Sequence, residues 1–389
     1  MKNLKYVSSY ENSGYAVAGK MYVEALDEAG INLTWTPLTY QRNIKGGGGY
    51  MPFQGDVQWG ETMQNLQYRE LEYKSVIIHS VPEFYPEWRE REPGKYLVGY
   101  TVWETTRPPD HWKELINTAD HLLVPTEWNK KIFQDHGITI PIDVIPHISE
   151  FEGRELYQPE LLPVDDDQFL FYVVSTWTER KALWKIIEAF NIAFTPDEPV
   201  QLLLKTNKID TTRPRMYILR RFTNNRYYSV RDTVNRLLTK TGTAPNLKLV
   251  DDDTLPQEYI QSLHTRGDCY ISLCRSEGWG IGAFEAAMYG KPVIMTGFGG
   301  QTDFLSRENA HLVDYKLIPV EDKTGAKSYN LKQMWAEPDI NHAAKKMREV
   351  YENREVSNKM GKALKQHVQT HFSRERIKEI FKEFLEKIP

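Results

Sequence analysis

Short runs rich in Val, Ile, Leu and aromatic residues alternate with helix-patterned segments along most of this chain, and that alternation leaves few folds open. Residues 4–8 read as a strand, 15–29 as a helix stopped by Gly30, and 31–35 as a second strand, a βαβ order. Further strands are expected at 75–79, 96–102, 121–124 and 142–145, with a helix near 129–134 between the last two. After Pro146 and a polar stretch, the acidic run 165–167 precedes an apolar strand at 169–174. The rhythm then resumes with strands at 200–204, 247–250, 270–274 and 293–295. Strands joined through helices lie parallel and need both sheet faces covered, so the chain reads as α/β. At 389 residues it exceeds what one core organises, which predicts two Rossmann-like domains over 1–160 and 161–372. In the tail, 373–389, Ile377, Ile380, Phe381, Phe384, Leu385 and Ile388 form one stripe of an amphipathic helix that docks on a domain.

Charge excludes some partners. A formal net charge of -4 argues against general nucleic-acid binding, which shows as a basic balance over a whole domain, and no specific nucleic acid is expected. One local exception runs over 205–240, with ten Lys or Arg against Asp210 and Asp232, interleaved with Tyr217, Phe222, Tyr227 and Tyr228. It suits an anionic partner or peripheral contact with a membrane surface. The simpler and favoured reading is a solvated helical face over a stripe of Val230, Val234, Leu237 and Leu238. Cys269 and Cys274, five apart in an apparent strand, point to opposite faces and cannot bridge each other; reduced thiols fit a cytosolic setting. The first ten residues carry no long apolar core, and no stretch reaches the about 18 apolar residues of a membrane span, so a cytoplasmic location is expected. Gly46 to Gly49 reads as a short flexible loop.

The segment 274–300, CRSEGWGIGAFEAAMYGKPVIMTGFGG, carries the chemistry. Ser276, Glu277, Gly278, Trp279, Gly280 and Gly282 make a glycine-rich turn after a strand, where the backbone can approach a ligand and present N–H groups to an anion. A short helix at about 283–289 follows, with Glu285 in its first turn and Gly290 as its stop; the strand 293–295 then runs into Gly297, Gly299 and Gly300. Two glycine loops therefore sit at the carboxyl edge of adjacent parallel strands, where open α/β sheets bind ligands. Glu277 and Glu285, with seven residues between them, can accept hydrogen bonds from vicinal hydroxyls while loop N–H groups take phosphate. Singly, Glu285 reads as well as a complement to the helix dipole and Glu277 as a solvated loop residue.

Together they match the E-x7-E signature, and the chain resembles the group 1 (family four) retaining glycosyltransferases of GT-B fold. The blocks YTVWETTRPPDHW, DHLLVPTEWNKKIF, VIPH and TERKALWKIIEAF, and the strand ending in Lys205, resemble blocks of that family in the same order. The resemblance implies a GT-B architecture, two Rossmann-like domains with parallel sheets facing a central cleft. It implies transfer of a hexosyl unit from a nucleotide-sugar donor, base unspecified, to a glycan, lipid-linked glycan or small-molecule acceptor with retention of configuration. Neither a cofactor nor a metal is expected; the acidic runs 165–167 and 251–253 read as solvated loops.

By the same resemblance Glu277 contacts the hydroxyls of the donor sugar, Glu285 holds the ribose, and Gly278, Trp279 and Gly280 surround the transferred sugar. The family grips the diphosphate with an Arg and a Lys five apart; Lys181 fits the Lys, but Thr176 stands where the Arg is expected. Arg180 or Lys205 can supply the missing charge. In the first domain, the loop of Asn12, Ser13, Gly14 and Tyr15 is placed near the diphosphate, although Gly14 also reads as a plain helix start. Many family members place a His after the strand that here continues into Trp103 and Glu104, which makes Glu104 a candidate facing the sugar, with an alternative pairing to Arg107. His79, at another strand end, is a second candidate. The mechanism implied is same-face attack through an ion-pair state, with cations and loop N–H groups stabilising the leaving diphosphate. Alternatives are a nucleotide-sugar epimerase or hydrolase, and a non-catalytic sugar-nucleotide or glycan-binding scaffold.

Overall fold

The computed structural model describes residues 3–11, 13–44, 47–153, 162–212, 229–241, 246–322 and 328–389. Asn12, Gly46 and the aromatics Tyr217, Phe222, Tyr227 and Tyr228 of the basic stretch lie outside the described residues. The chain divides into two compact units: Met1–Trp103, Arg107–Glu152 and Thr370–Pro389 form the first, Glu104–Thr106 and Gly153–Gln369 the second.

The first unit runs β1 (Asn3–Ser9), α1 (Gly14–Glu28), β2 (Asn32–Ile44), β3 (Gly47–Pro52), α2 (Glu61–Leu66), β4 (Ser75–His79), α3 (Tyr85–Arg91), β5 (Tyr96–Tyr100), α4 (Trp112–Ile116), β6 (His121–Val124), α5 (Glu127–Asp135) and β7 (Ile142–Val144). Its sheet has the order β3-β2-β1-β4-β5-β6-β7, parallel except where β3 pairs antiparallel with β2. α1 starts because the Ser13 hydroxyl accepts from the Ala16 N–H, and ends where Gly30 adopts φ +76°. Its inner face, with Ala18, Met21, Tyr22, Ala25 and Leu26, is buried on the sheet. The glycine run departs from expectation. Gly47 and Gly49 are not a free loop but pair with Ile44 and Gln41 as the start of β3.

The second unit runs β8 (Phe169–Val174), α6 (Leu183–Ala193), β9 (Val200–Lys205), α7 (Val230–Thr241), β10 (Leu247–Val250), α8 (Gln257–Arg266), β11 (Cys269–Ser272), α9 (Ile281–Met288), β12 (Val293–Thr296), β13 (His311–Val313), β14 (Tyr315–Pro319), β15 (Met334–Pro338), α10 (Ile340–Glu352) and most of α11 (Arg354–His371). Its parallel sheet has the order β10-β9-β8-β11-β12-β13, and β14 and β15 form a separate antiparallel pair. In α7, Val230 and Val234 are buried while Arg231 and Arg236 are exposed. Cys269 and Cys274 are both buried and unbridged, but β11 ends at Ser272, so Cys274 lies in the following loop rather than in the strand. Among the described residues no helix is long and apolar enough to cross a membrane.

The last helix, α12 (Arg374–Lys387), returns to the first unit and buries Ile377, Phe381, Phe384 and Leu385 in its core beside Tyr22 and Leu26 of α1. Arg374 fixes the start of this helix, donating its backbone N–H to Glu152 at 2.9 Å and its guanidinium to Glu28 at 2.8 Å.

Buried histidines tie this fold to pH. The Tyr22 hydroxyl contacts the Tyr100 hydroxyl at 2.7 Å and His147 Nδ1 at 3.1 Å, and Tyr6 contacts His79 Nδ1 at 2.9 Å. In the second unit Tyr172 contacts His264 Nδ1 at 2.9 Å. Burial pushes His147 and His264 down to about 3. Burial, helped by nearby His147, also holds His79 well below the ordinary histidine value. Each imidazole gains its proton only on unfolding, so the unfolded chain binds more protons below about pH 6.5 and stability falls as pH drops. At pH 5 His147 and His264 each remove roughly 2 kcal/mol. The melting temperature should therefore drop steadily from pH 7 to pH 5, and His147→Gln should flatten that slope; an unchanged slope would show that His147 is not neutral in the fold.

Candidate functional site

In the second sheet the chain winds outward from β8 through β9 to β10, then returns to β11 on the other side of β8 and continues to β12 and β13. The strand order reverses between β8 and β11, and the carboxyl ends of the strands at such a reversal are where open α/β sheets bind ligands. The sequence candidates converge there. The loop after β8 carries Arg180 and Lys181; the loop after β11 carries Ser276, Glu277, Gly278, Trp279 and Gly280.

Glu277 is the hub. Lys181 Nζ pairs with its Oε1, and Arg180 Nη1 donates to its Oε2 at 3.1 Å and to the Ser276 carbonyl at 2.9 Å. Burial pushes the Glu277 carboxyl up, but Lys181 and Arg180 outweigh it and hold the group below the ordinary carboxylate value. Arg180 Nη2 also meets Glu104 Oε1 at 3.3 Å, and the Tyr329 hydroxyl donates to the other Glu104 oxygen at 3.3 Å. Burial works against the charge on Arg180, yet Glu104 first, then Tyr329 and Glu277, raise it above the ordinary arginine value. Glu104 thus joins the cationic pair, whereas Arg107 turns to Asp110 at 2.9 Å.

The glycine loops are shaped by contacts that exclude side chains. Gly280 takes φ +92° and caps α9, its carbonyl accepting from Ala283 and Phe284 at 3.0 Å. Gly299 takes φ +112°, and a Cβ there would lie 2.6 Å from the Glu277 carbonyl. Gly300 N–H donates to that same carbonyl at 2.8 Å, so the loop after β12 is laced to the backbone of Glu277. Beneath them Gln301 is fully buried and donates to the Thr296 carbonyl at 3.0 Å.

Three placements differ from the sequence reading. α9 begins at Ile281, so Glu285 lies in its second turn, is buried, and cannot serve as a first-turn partner for the helix dipole. Trp279 is 3% exposed, and its indole packs against Phe284 and Phe304, with centroids 5.0 and 5.1 Å away, as part of the core. His79 ends β4 in the first unit, 1% exposed and enclosed by Tyr6, Tyr15, Tyr22 and Tyr100. A neutral, enclosed imidazole is a core group and not one that touches a sugar.

Of the other candidates, Gly14 is the exposed first residue of α1. Thr176 is exposed just past β8. Lys205 ends β9 beside that loop, where its carbonyl accepts from Ser175 N–H at 3.0 Å. Burial lowers the Lys205 ammonium below the ordinary lysine value, partly offset by Asp253 and Asp252. The acidic runs are solvent-facing or paired: Asp166 is 98% exposed, and Asp251 and Asp252 meet Arg231 and Lys208. Among the described residues no three His, Cys, Asp or Glu side chains gather as metal ligands. Sequence reading missed Glu179, Arg275, Tyr329 and Glu337, which surround the cationic pair or its loops.

This is the fold of the GT-B glycosyltransferases, two α/β units of Rossmann type with parallel sheets. No protein-family model matches the chain. No curated protein sequence matches it either. Solved structures do. Sucrose-phosphate synthase from Thermosynechococcus elongatus is similar over 100% of this chain and 99% of its own, with TM-score 0.67 and 13% identity. HepE of Anabaena, in complex with UDP and glucose, is similar over 100% of both chains with TM-score 0.65 and 12% identity. A mutant of S. aureus TarM, in complex with Fondaparinux, alpha-GlcNAc-glycerol and UDP, has TM-score 0.55 and 14% identity; the match covers 79% of this chain and 54% of that one.

Proposed function

We propose that this chain is a retaining, metal-independent glycosyltransferase that moves a hexosyl unit from a nucleotide-diphosphate sugar to a glycan or other hydroxyl acceptor. The observation that carries the reading is the convergence of Arg180, Lys181 and Glu277 at the strand-order reversal, with buried Glu285 on the helix that follows. The similar folds crystallised with UDP and sugars support it. In this reading Glu277 accepts from the hydroxyls of the donor sugar and Glu285 from the ribose. Arg180 and Lys181, with half-buried Lys205 at the neighbouring strand end, stabilise the charge that develops on the leaving diphosphate. Arg180 takes the part that Thr176 cannot. In this reading the acceptor attacks from the face that the leaving diphosphate occupies, through an ion-pair state that the two cations stabilise, and configuration is retained.

Thermal melts with UDP, GDP, ADP, TDP and CMP, with and without magnesium, test donor binding. A nucleotide at a hundred times its dissociation constant adds about 2.7 kcal/mol of stability. One nucleotide should shift the melt without metal, and Glu285→Ala should abolish the shift. Incubation with the matching nucleotide hexose and a sugar acceptor should then give a product whose anomeric proton retains the donor configuration. Turnover without acceptor would replace transfer by hydrolysis or epimerisation, and binding without turnover would make the chain a sugar-nucleotide scaffold.

A further inference from the structure

The cations of the site sit on a buried ion network that touches neither sugar nor phosphate in the reading above. Arg275 lies two residues before Glu277, 13% exposed in its side chain. Its Nε donates to Glu337 Oε2 at 2.9 Å, and its Nη1 donates to Glu179 Oε2 at 3.1 Å and the Glu179 carbonyl at 3.3 Å. Lys185 on α6 pairs with the other Glu337 oxygen. The guanidinium also lies 5.0 Å from the Trp335 ring and 5.7 Å from the Trp184 ring. Two cations and two carboxylates balance, and one planar fork spans the loop after β8 and strand β15 at once.

The backbone repeats the link. Arg275 N–H donates to the Arg180 carbonyl at 2.8 Å, and Ala336 N–H donates to the Arg275 carbonyl at 2.8 Å. Glu179 and Arg180 are neighbours, so the contact that holds Glu179 also holds the segment presenting Arg180 and Lys181. Arg275 and Glu277 are likewise two residues apart on the other loop. We infer that Arg275 is a positioning residue that fixes the separation between the Arg180–Lys181 pair and Glu277, an inference that rests on the donor-site reading. A lysine at 275 keeps the charge but cannot reach both carboxylates as a fork or offer the two indoles a planar cation.

Arg275→Lys and Glu179→Gln in the full chain, singly and together, test this through three readouts. Amide hydrogen exchange should accelerate about tenfold in Arg275→Lys over both 176–182 and 274–280, because one link restrains both loops. Affinity for UDP, GDP and ADP, measured by calorimetry, should fall about tenfold for whichever the wild type binds, while the melting temperature moves by only a few degrees. The double variant should bind no worse than the weaker single one, since both break the same link. Faster exchange in one loop only, unchanged nucleotide affinity, or additive losses would each overturn the positioning role and leave Arg275 as a packing ion pair. Failure of the donor reading is distinct: the wild type would then bind none of the three nucleotides, whatever the exchange data show, and the positioning role would fall with it.

Discussion

Glu277→Gln is expected to lower the rate of glycosyl transfer by about 10²–10³-fold while leaving nucleotide affinity intact or stronger. The carboxylate carries Lys181 on one oxygen and Arg180 on the other. Glutamine keeps the shape but removes the charge that orders both cations, and it turns one acceptor for a sugar hydroxyl into a donor. The binding side moves the other way. With no anion from Glu277 against them, Lys181 and Arg180 are more available to a diphosphate, although Arg180 keeps Glu104 at 3.3 Å. The signature is a collapsed kcat with an unweakened Kd for the nucleoside diphosphate, measured by initial rates and calorimetry. Transfer within threefold of wild type would remove Glu277 from the reaction centre; a parallel loss of affinity would move it to the nucleotide grip assigned to Glu285.

Gly299→Ala should be the most destabilising small substitution at the site. Gly299 has φ +112° and ψ -172°, a region essentially closed to residues with a Cβ, and the added carbon would stand 2.6 Å from the Glu277 carbonyl. That carbonyl is backbone and already accepts from Gly300, so relief requires moving the loop that presents Glu277. A cost of about 3 kcal/mol is expected, together with lost transfer activity. Gly30→Ala is the control: φ is +76°, but nothing lies within 4 Å of the added carbon, so the cost should be only about 1 kcal/mol and activity should survive. Equal effects in chemical denaturation of the two variants would show that the close approach to Glu277 does not constrain the fold.

How much of this was written in the chain differs from element to element. Strand 169–174 was legible as a continuous apolar run, and the tail stripe with Ile377, Phe381 and Phe384 from its helical spacing, because both report burial without reference to distant residues. The pairing of the glycine run with β2 was not, because a ladder partner supplied by the neighbouring strand compensates for poor strand propensity. Glu104 could be placed at a strand end but not against Arg180, which lies 76 positions away in the 389-residue sequence.

The site divides the same way. By itself the sequence determined the chemical inventory: a glycine-rich turn between strand and helix, Glu277 and Glu285 at fixed spacing, and Arg180 with Lys181 in a block that follows an apolar strand. These are local properties, set by turn chemistry and short-range spacing. Only the tertiary structure decided that His79 is enclosed by tyrosines, that the Trp279 ring belongs to the core, and that Glu277 bridges Arg180 and Lys181. Burial and ion pairing depend on which distant segments fold against a residue, and the reversal of strand order between β8 and β11 brings residues nearly a hundred positions apart within hydrogen-bonding reach.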